Sequence, residues 1–280
     1  MVRAAMIRYS STAYMLSQKL TSEYSTSFGI SSRLLHKQSR KHVYAIYGLV
    51  RISDEIADCI GIDDGYRLSL LDALEQETYS AIERQYSANP LVHSFALTAK
   101  LRGINRSLIE PFFGSMRMDI THAYTQEHYD EYIYGSAEVI GLMCLKVFCL
   151  GDTRMYNSLE MGARKLGAAF QKVNFLRDFA ADYKALNRVY FPNVNFPDFT
   201  DAQKREIEQD IEADFADSEK YINALPRSAR IAVRVSNTYY KALFKKIQHA
   251  SVDVLKLKRI RIGSLRKLLL LCKARLMELA

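Results

Sequence analysis

Gln171-Lys-Val-Asn174-Phe-Leu-Arg177-Asp178-Phe-Ala-Ala-Asp182-Tyr-Lys-Ala-Leu-Asn-Arg188-Val-Tyr190-Phe-Pro192 is the stretch whose reading decides the fold. Asp178 and Asp182 are four residues apart, Asn174 precedes Asp178 by four, and Gln171 precedes Asn174 by three. On a helix this spacing stacks all four side chains on one face. Phe170, Val173 and Phe175 set apolar side chains beside that polar row. Carboxylates in apolar surroundings are costly when nothing neutralises them. A hard cation removes the difficulty. Mg2+ takes oxygen ligands, commonly one or two carboxylates, and shares the rest of its shell with substrate phosphates.

The same spacing recurs in Arg51-Ile-Ser-Asp54-Glu55-Ile-Ala-Asp58, after the apolar-rich run Val43-Tyr-Ala-Ile-Tyr47. One such pair is well explained by a solvated helix face. Two pairs, each with an arginine nearby (Arg51, Arg177) and apolar neighbours, fit two facing helices that clamp a diphosphate through several Mg2+ ions. The metal candidates are Asp54, Asp58, Asn174, Asp178 and Asp182, with Mg2+ expected and Mn2+ able to substitute.

Outward from these two stretches the chain reads as helix after helix. Glycine and proline are sparse, 12 and 5 in 280 residues, so few breakers interrupt long helices. Residues 1–27 and 39–60 read as helices, and Val43, Ile46, Tyr47, Val50 and Asp54 share a face of the second. Residues 66–87 and 91–103 read as amphipathic surface helices, and 106–121 as another. Residues 125–150 and 153–183 read as long helices, and 186–197 as a loop. The acidic segment 200–223 reads as a solvated face. No alternation of strand type is sustained, so one all-α domain over residues 1–280 is expected.

The matching blocks resemble the squalene and phytoene synthases, the trans-isoprenyl diphosphate synthases that join two prenyl diphosphates head to head. The resemblance rests on Tyr24-Ser-Thr-Ser27-Phe28, Ala45-Ile-Tyr47-Gly-Leu-Val-Arg51, Asp54 to Asp58, Met118-Asp119, Tyr132 to Gly141, Gln171 to Asp182 and Arg188-Val-Tyr190-Phe-Pro192. It implies an isoprenoid-synthase-type helical bundle around a central cavity. It also implies catalytic roles for Asp54, Asp58, Asp178, Asp182, Tyr47, Tyr132, Gln171 and Asn174. Ser27, Phe28, Arg51, Arg177, Arg188, Tyr190, Arg259 and Lys267 are the implied substrate-binding residues, and Tyr240 is expected to reach the cavity. Asp119 is expected to position helices rather than bind metal. Glu138 stands where many members have glycine. A carboxylate in a lipid tunnel would be expensive, so a basic or tyrosine partner is expected for it.

The resemblance implies ionisation of an allylic diphosphate inside a dry, aromatic-lined cavity, a cyclopropylcarbinyl diphosphate and its rearrangement. The product expected is phytoene from two geranylgeranyl diphosphates, with no NADPH. The alternatives are a squalene, dehydrosqualene or hydroxysqualene synthase acting on farnesyl diphosphate, or a non-catalytic assembly-factor-like scaffold. Retention of all four aspartates disfavours the scaffold. Leu142, Met143, Leu145 and Phe170 are the expected tunnel-end residues.

Residues 227–280 hold 14 Lys/Arg and 2 Asp/Glu, a balance of +12 within a chain total of +8. No nucleic-acid motif accompanies that charge, so no nucleic acid is expected. A peripheral contact with an anionic membrane surface is expected instead. No apolar run is expected to span a bilayer, the closest being 139–150 with Lys146 inside it. The first fifteen residues lack a continuous apolar core, so no signal peptide is expected. Cys59, Cys144, Cys149 and Cys272 have no disulfide or zinc spacing and suit reduced thiols in a cytoplasmic protein.

Overall fold

The computed structural model describes residues 2–24, 29, 31–122 and 128–263. Among them every regular element is helical and no strand occurs, as the periodicity predicts. In chain order the helices are α1 (Val2–Tyr24), α2 (Lys37–Ala57), α3 (Asp64–Arg84), α4 (Pro90–Arg102), α5 (Arg106–Thr121), α6 (Tyr129–Cys149), α7 (Thr153–Leu186), α8 (Asp201–Ile222), α9 (Arg227–Gln248) and α10 (Val252–Leu257). Local chemistry sets their ends. Asp63 caps α3, Asn89 caps α4 ahead of Pro90, and Asp152 caps α7. Thr200 and Gln203 form a reciprocal capping box on α8.

The 34-residue α7 runs the length of the molecule and carries the deciding stretch in its last turns. It packs closely on α6 where small residues meet. A side chain at Gly141 would lie 2.8 Å from the Ala163 carbonyl oxygen, and one at Gly167 would lie 2.8 Å from that of Ala137. Within α6, Tyr134–Glu138 is a π-helical turn, in which the Val139 N–H donates to the Tyr134 carbonyl five residues back.

Two apolar cores flank the space between α2, α6 and α7. The first centres on Ile46, Phe95, Phe112, Phe113, Leu142 and Met143. The second centres on Phe175, Leu176, Phe179, Phe215 and Leu243.

Four sequence expectations need correction. α4 is not a surface helix: Val92, His93, Ser94, Phe95, Ala96, Thr98 and Ala99 are all buried. Its polar residues are satisfied internally, Ser94 by Ser17 at 2.8 Å and Thr98 by His42 Nδ1 at 2.8 Å. The acidic face of α8 is partly interior: Asp214 is buried and takes ion pairs from Lys165 at 2.8 Å and Lys172 at 2.7 Å of α7. α6, with 21 residues and mean hydropathy 1.4, is apolar and long enough to cross a membrane by composition. It is two-thirds buried against its neighbours, as a core helix is. Leu142 and Met143 belong to the first core and do not line the cavity, whereas Leu145 and Phe170 do.

Candidate active site

Every described residue singled out for the site lines one cavity of about 990 Å3. Ser27, Phe28 and Lys267 lie outside the described residues. The C-terminal turns of α2 and α7 bring the aspartate pairs to the same end of this cavity, its mouth. Arg188, just past the end of α7, ties the two helices together. Its Nη1 lies 2.5 Å from Asp58, and its Nη2 donates to the Ala57 carbonyl at 2.9 Å.

Asp119 of α5 completes the mouth. It is buried and accepts from the Tyr132 hydroxyl at 3.1 Å and the Tyr190 hydroxyl at 3.4 Å, with Arg188 at 3.8 Å. The expected positioning role agrees with this geometry. Tyr190 in turn stacks on Phe175, ring centroids 4.1 Å apart, and on Tyr132 at 5.4 Å. Asp178 is held by Arg177 and by Arg259, each at 2.6 Å. Arg51 lies 3.5 Å from Asp54 and also pairs with Glu55.

Below the mouth, Asn174 donates to Gln171 at 3.4 Å and accepts from the Tyr240 hydroxyl at 3.2 Å. Tyr240 stacks on Phe170 with centroids 3.9 Å apart. Glu138 turns away from the cavity, and Arg164 donates to it at 2.5 Å, the basic partner expected.

Five aspartates, Asp54, Asp58, Asp119, Asp178 and Asp182, share the cavity lining with five arginines, Arg51, Arg177, Arg188, Arg259 and Arg261. Burial, with Asp58 and Asp119 nearby, pushes the Asp54 carboxyl up to about 8 despite Arg51. Burial, with Asp178 and Asp58 nearby, pushes Asp182 up to about 7. The influence of Asp58 on Asp182 places the two pairs within electrostatic reach of each other. Among the described residues, no three acidic, histidine or cysteine side chains gather tightly enough to enclose a cation unaided.

Sequence reading missed Ser136. It lines the cavity from the π-turn, and its buried Oγ has no hydrogen-bond partner. Elsewhere helical serines bond back to the preceding turn, as Ser53 does to Leu49 and Ser218 to Phe215. Nothing in the letters marks the extra residue that breaks this pattern.

The squalene/phytoene synthase family profile matches residues 21–266. A hydroxysqualene synthase of Rhodopseudomonas palustris is 33% identical over 184 residues, covering 65% of this chain and 58% of that protein. A 4,4'-diapophytoene synthase of Staphylococcus haemolyticus is 27% identical over 202 residues, covering 70% of this chain and 68% of that protein. The crystal structure of a dehydrosqualene synthase in complex with ligand superposes with a TM-score of 0.81 at 20% identity, covering 96% of this chain and 98% of that one. With a matching profile over most of its length and this shared fold, the chain belongs to the squalene/phytoene synthase family.

Proposed function

We propose that this chain joins two prenyl diphosphates head to head, and that the substrate is geranylgeranyl diphosphate and the product phytoene. One observation carries the reading. Two aspartate pairs and Arg51, Arg177, Arg188 and Arg259 gather at one end of a cavity whose other walls are mainly apolar and aromatic. At about 990 Å3 the cavity stands at the upper end of the roughly 300–1,000 Å3 common for small-molecule sites, as two long tails require.

The donor set suits Mg2+. Asp54 and Asp182 are half-buried carboxyls whose charge desolvation disfavours, and their oxygens are hard ligands. Asp54, Asp58, Asn174, Asp178 and Asp182 would hold the ions, together with diphosphate oxygens. Mg2+ would neutralise the leaving diphosphate and so assist C–O ionisation. The arginines bind and orient the same diphosphate. Phe170, Phe175, Tyr132 and Tyr190 offer aromatic faces to the allylic cation and exclude water from it. Proton loss ends the reaction, so no NADPH is called for. The +12 balance of residues 227–280 supports a cytoplasmic protein lying peripherally on anionic membrane.

Farnesyl diphosphate is the second reading, favoured by the names of the hydroxysqualene and diapophytoene synthase relatives. Purified protein with Mg2+, offered each diphosphate with and without NADPH, decides by product mass. A C40 product independent of NADPH is expected, and a C30 product would refute the chain length alone. Asp178→Asn keeps the side-chain volume and should lower turnover by about a hundredfold or more. Undiminished turnover in that variant, or in wild type with EDTA, would refute the metal assignment.

A further inference from the structure

Ser136 lies on the cavity wall one helical turn past Tyr132. Tyr132 marks the level of the mouth, because its hydroxyl donates to Asp119 and its ring stacks on Tyr190. At 1.5 Å per residue, Ser136 stands about 6 Å below it. The residue is 7% exposed, and no hydrogen bond satisfies its buried Oγ. Among the neutral side chains described around the cavity, no other has a buried polar atom in that condition. Gln171, Asn174 and Tyr240, on the facing helices, are joined to one another by hydrogen bonds.

A buried hydroxyl without a partner destabilises a fold, and removing such a group is neutral or stabilising. Ser136→Ala would relieve that burden and favour the helix as well. The backbone nevertheless holds the hydroxyl in place. The π-helical turn Tyr134–Glu138 denies Ser136 the bond to the preceding turn that Ser53 makes with the Leu49 carbonyl at 3.0 Å. Close packing fixes that turn from both sides. Gly135 leaves no room for a side chain against the Pro111 carbonyl of α5, and the Ala137 carbonyl oxygen would lie 2.8 Å from a side chain at Gly167 of α7. A polar atom kept rigid and unsatisfied in a mainly apolar wall suits a charge that is absent until reaction begins.

We propose that Ser136 is a further catalytic residue, its Oγ turning a lone pair towards the allylic cation formed from the bound diphosphate. The proposal rests on the prenyl diphosphate reading of the cavity. When the C1–O bond breaks, its electron pair leaves with the diphosphate and the positive charge spreads over C1 and C3. A diphosphate held at the mouth puts these carbons within the next turn of depth, the level of Ser136. The serine forms no covalent bond and moves no proton. Its hydroxyl dipole stabilises the charge as it develops and gains nothing from the neutral tail beforehand, so it raises kcat and leaves substrate binding alone.

Two probes separate charge from tail. One is a prenyl thiodiphosphate, whose bridging sulfur resists ionisation. The other is a trimethylammonium with the same tail, offered with inorganic diphosphate; it carries a fixed positive charge and no N–H. Ser136→Ala should bind the thiodiphosphate as wild type does and the ammonium about tenfold more weakly. Its kcat should fall about tenfold with KM unchanged. Ser136→Cys, similar in size but a weak acceptor, should fall with it. In denaturant, Ser136→Ala should unfold at or above the wild-type midpoint. Ser94→Ala, which breaks the buried bond to Ser17, should unfold below it. A lowered midpoint in Ser136→Ala would overturn the proposal, since the hydroxyl would then have a structural partner. So would weakened thiodiphosphate binding with unchanged ammonium binding, which would assign the hydroxyl to the diphosphate, or wild-type kcat in Ser136→Cys, which would leave a role in size alone. Turnover of neither the C15 nor the C20 diphosphate by wild type would reject the reaction, while ammonium binding still judges the serine.

Discussion

Along α6 the cavity-lining side chains descend from the mouth in steps of four, Tyr132, Ser136, Ile140, Cys144 and Phe148. α7 descends in the opposite chain direction, from Asp178 through Asn174, Phe170 and Ala163 to Leu159. At 1.5 Å per residue, Asp178 and Leu159 are about 28 Å apart along the helix, which gives the tunnel its depth. Depth therefore maps onto residue number, and on the proposed prenyl diphosphate reading chain-length choice would fall to Cys144, Leu145 and Phe148, which line the cavity, and not to Leu142 or Met143, which do not. Sequence could supply the apolar letters of this helix but not their direction, because ordinary core packing and a tunnel wall use the same residues. Burial pushes the Cys144 thiol up to about 12, so it acts here by size and not by reactivity. Cys144→Phe fills the lower tunnel with a ring. The five carbons separating a C20 from a C15 tail are worth up to about 4 kcal/mol of burial, at ~0.8 kcal/mol each. Losing a third of that should raise the ratio of kcat/KM for farnesyl over geranylgeranyl diphosphate by about tenfold. An unchanged ratio, measured with both substrates in wild type and variant, would place the tunnel end elsewhere.

At the scale of elements, helix existence and order were legible because caps and apolar periods act locally. Thr200, Asn89 with Pro90, and Asp152 each announce a helix start by chemistry that needs no tertiary context. The burial of α4 was illegible for the opposite reason: its Ser94, Thr98 and His93 look solvated until the partners on α1 and α2 are seen. The π-turn of α6 was also invisible, since one extra residue in a turn leaves the letters unchanged. Its packing is demanding. A side chain at Gly135 would lie 2.2 Å from the Pro111 carbonyl oxygen and 3.0 Å from its carbon, backbone atoms of α5 that cannot rotate away. Gly135→Ala should therefore part α5 from α6 and lower stability by about 3 kcal/mol. Gly114, on α5 itself, has nothing within 4 Å of the same position. Gly114→Ala should instead gain about 0.5–1 kcal/mol from helix propensity. Denaturant unfolding of both variants tests the contrast, and equal effects would remove the close approach as its cause.

Across the whole molecule, the two apolar cores are joined by a mouth rich in carboxylates, and the pH dependence of stability reports on both sides. The aspartate spacing made this mouth legible from sequence; its link through Asp119 and Arg188 to α5 needed the fold. Asp54 and Asp182 have native pKa values of about 8 and about 7, above the ordinary 3.8. A carboxyl raised in this way binds its proton more tightly when folded. Its contribution is fully present below the unfolded pKa and is lost as pH rises through the folded one. The protein free of Mg2+ should therefore lose stability from about pH 4 to about pH 8 on account of these two groups. His42, in the interior of the first half, works in the other direction. Burial, helped by Arg102 and Lys41, lowers it to about 4, so its contribution is present above about 6.5 and lost as pH falls towards 4. Between about pH 4 and about pH 6.5 the two carboxyls outweigh His42, so thermal unfolding of the wild type should show stability falling as pH rises; Asp54→Asn with Asp182→Asn should reverse that slope below about pH 6.5, leaving the His42 contribution, and His42→Gln should steepen it. If Mg2+ with inorganic diphosphate binds the ionised carboxylates as proposed, it should stabilise the protein most at the alkaline end, by mass action on the native state. If Mg2+ and diphosphate raised the unfolding temperature equally at about pH 5 and about pH 8, the ions would not be meeting these carboxyls, and the assignment of Asp54 and Asp182 as ligands would fall.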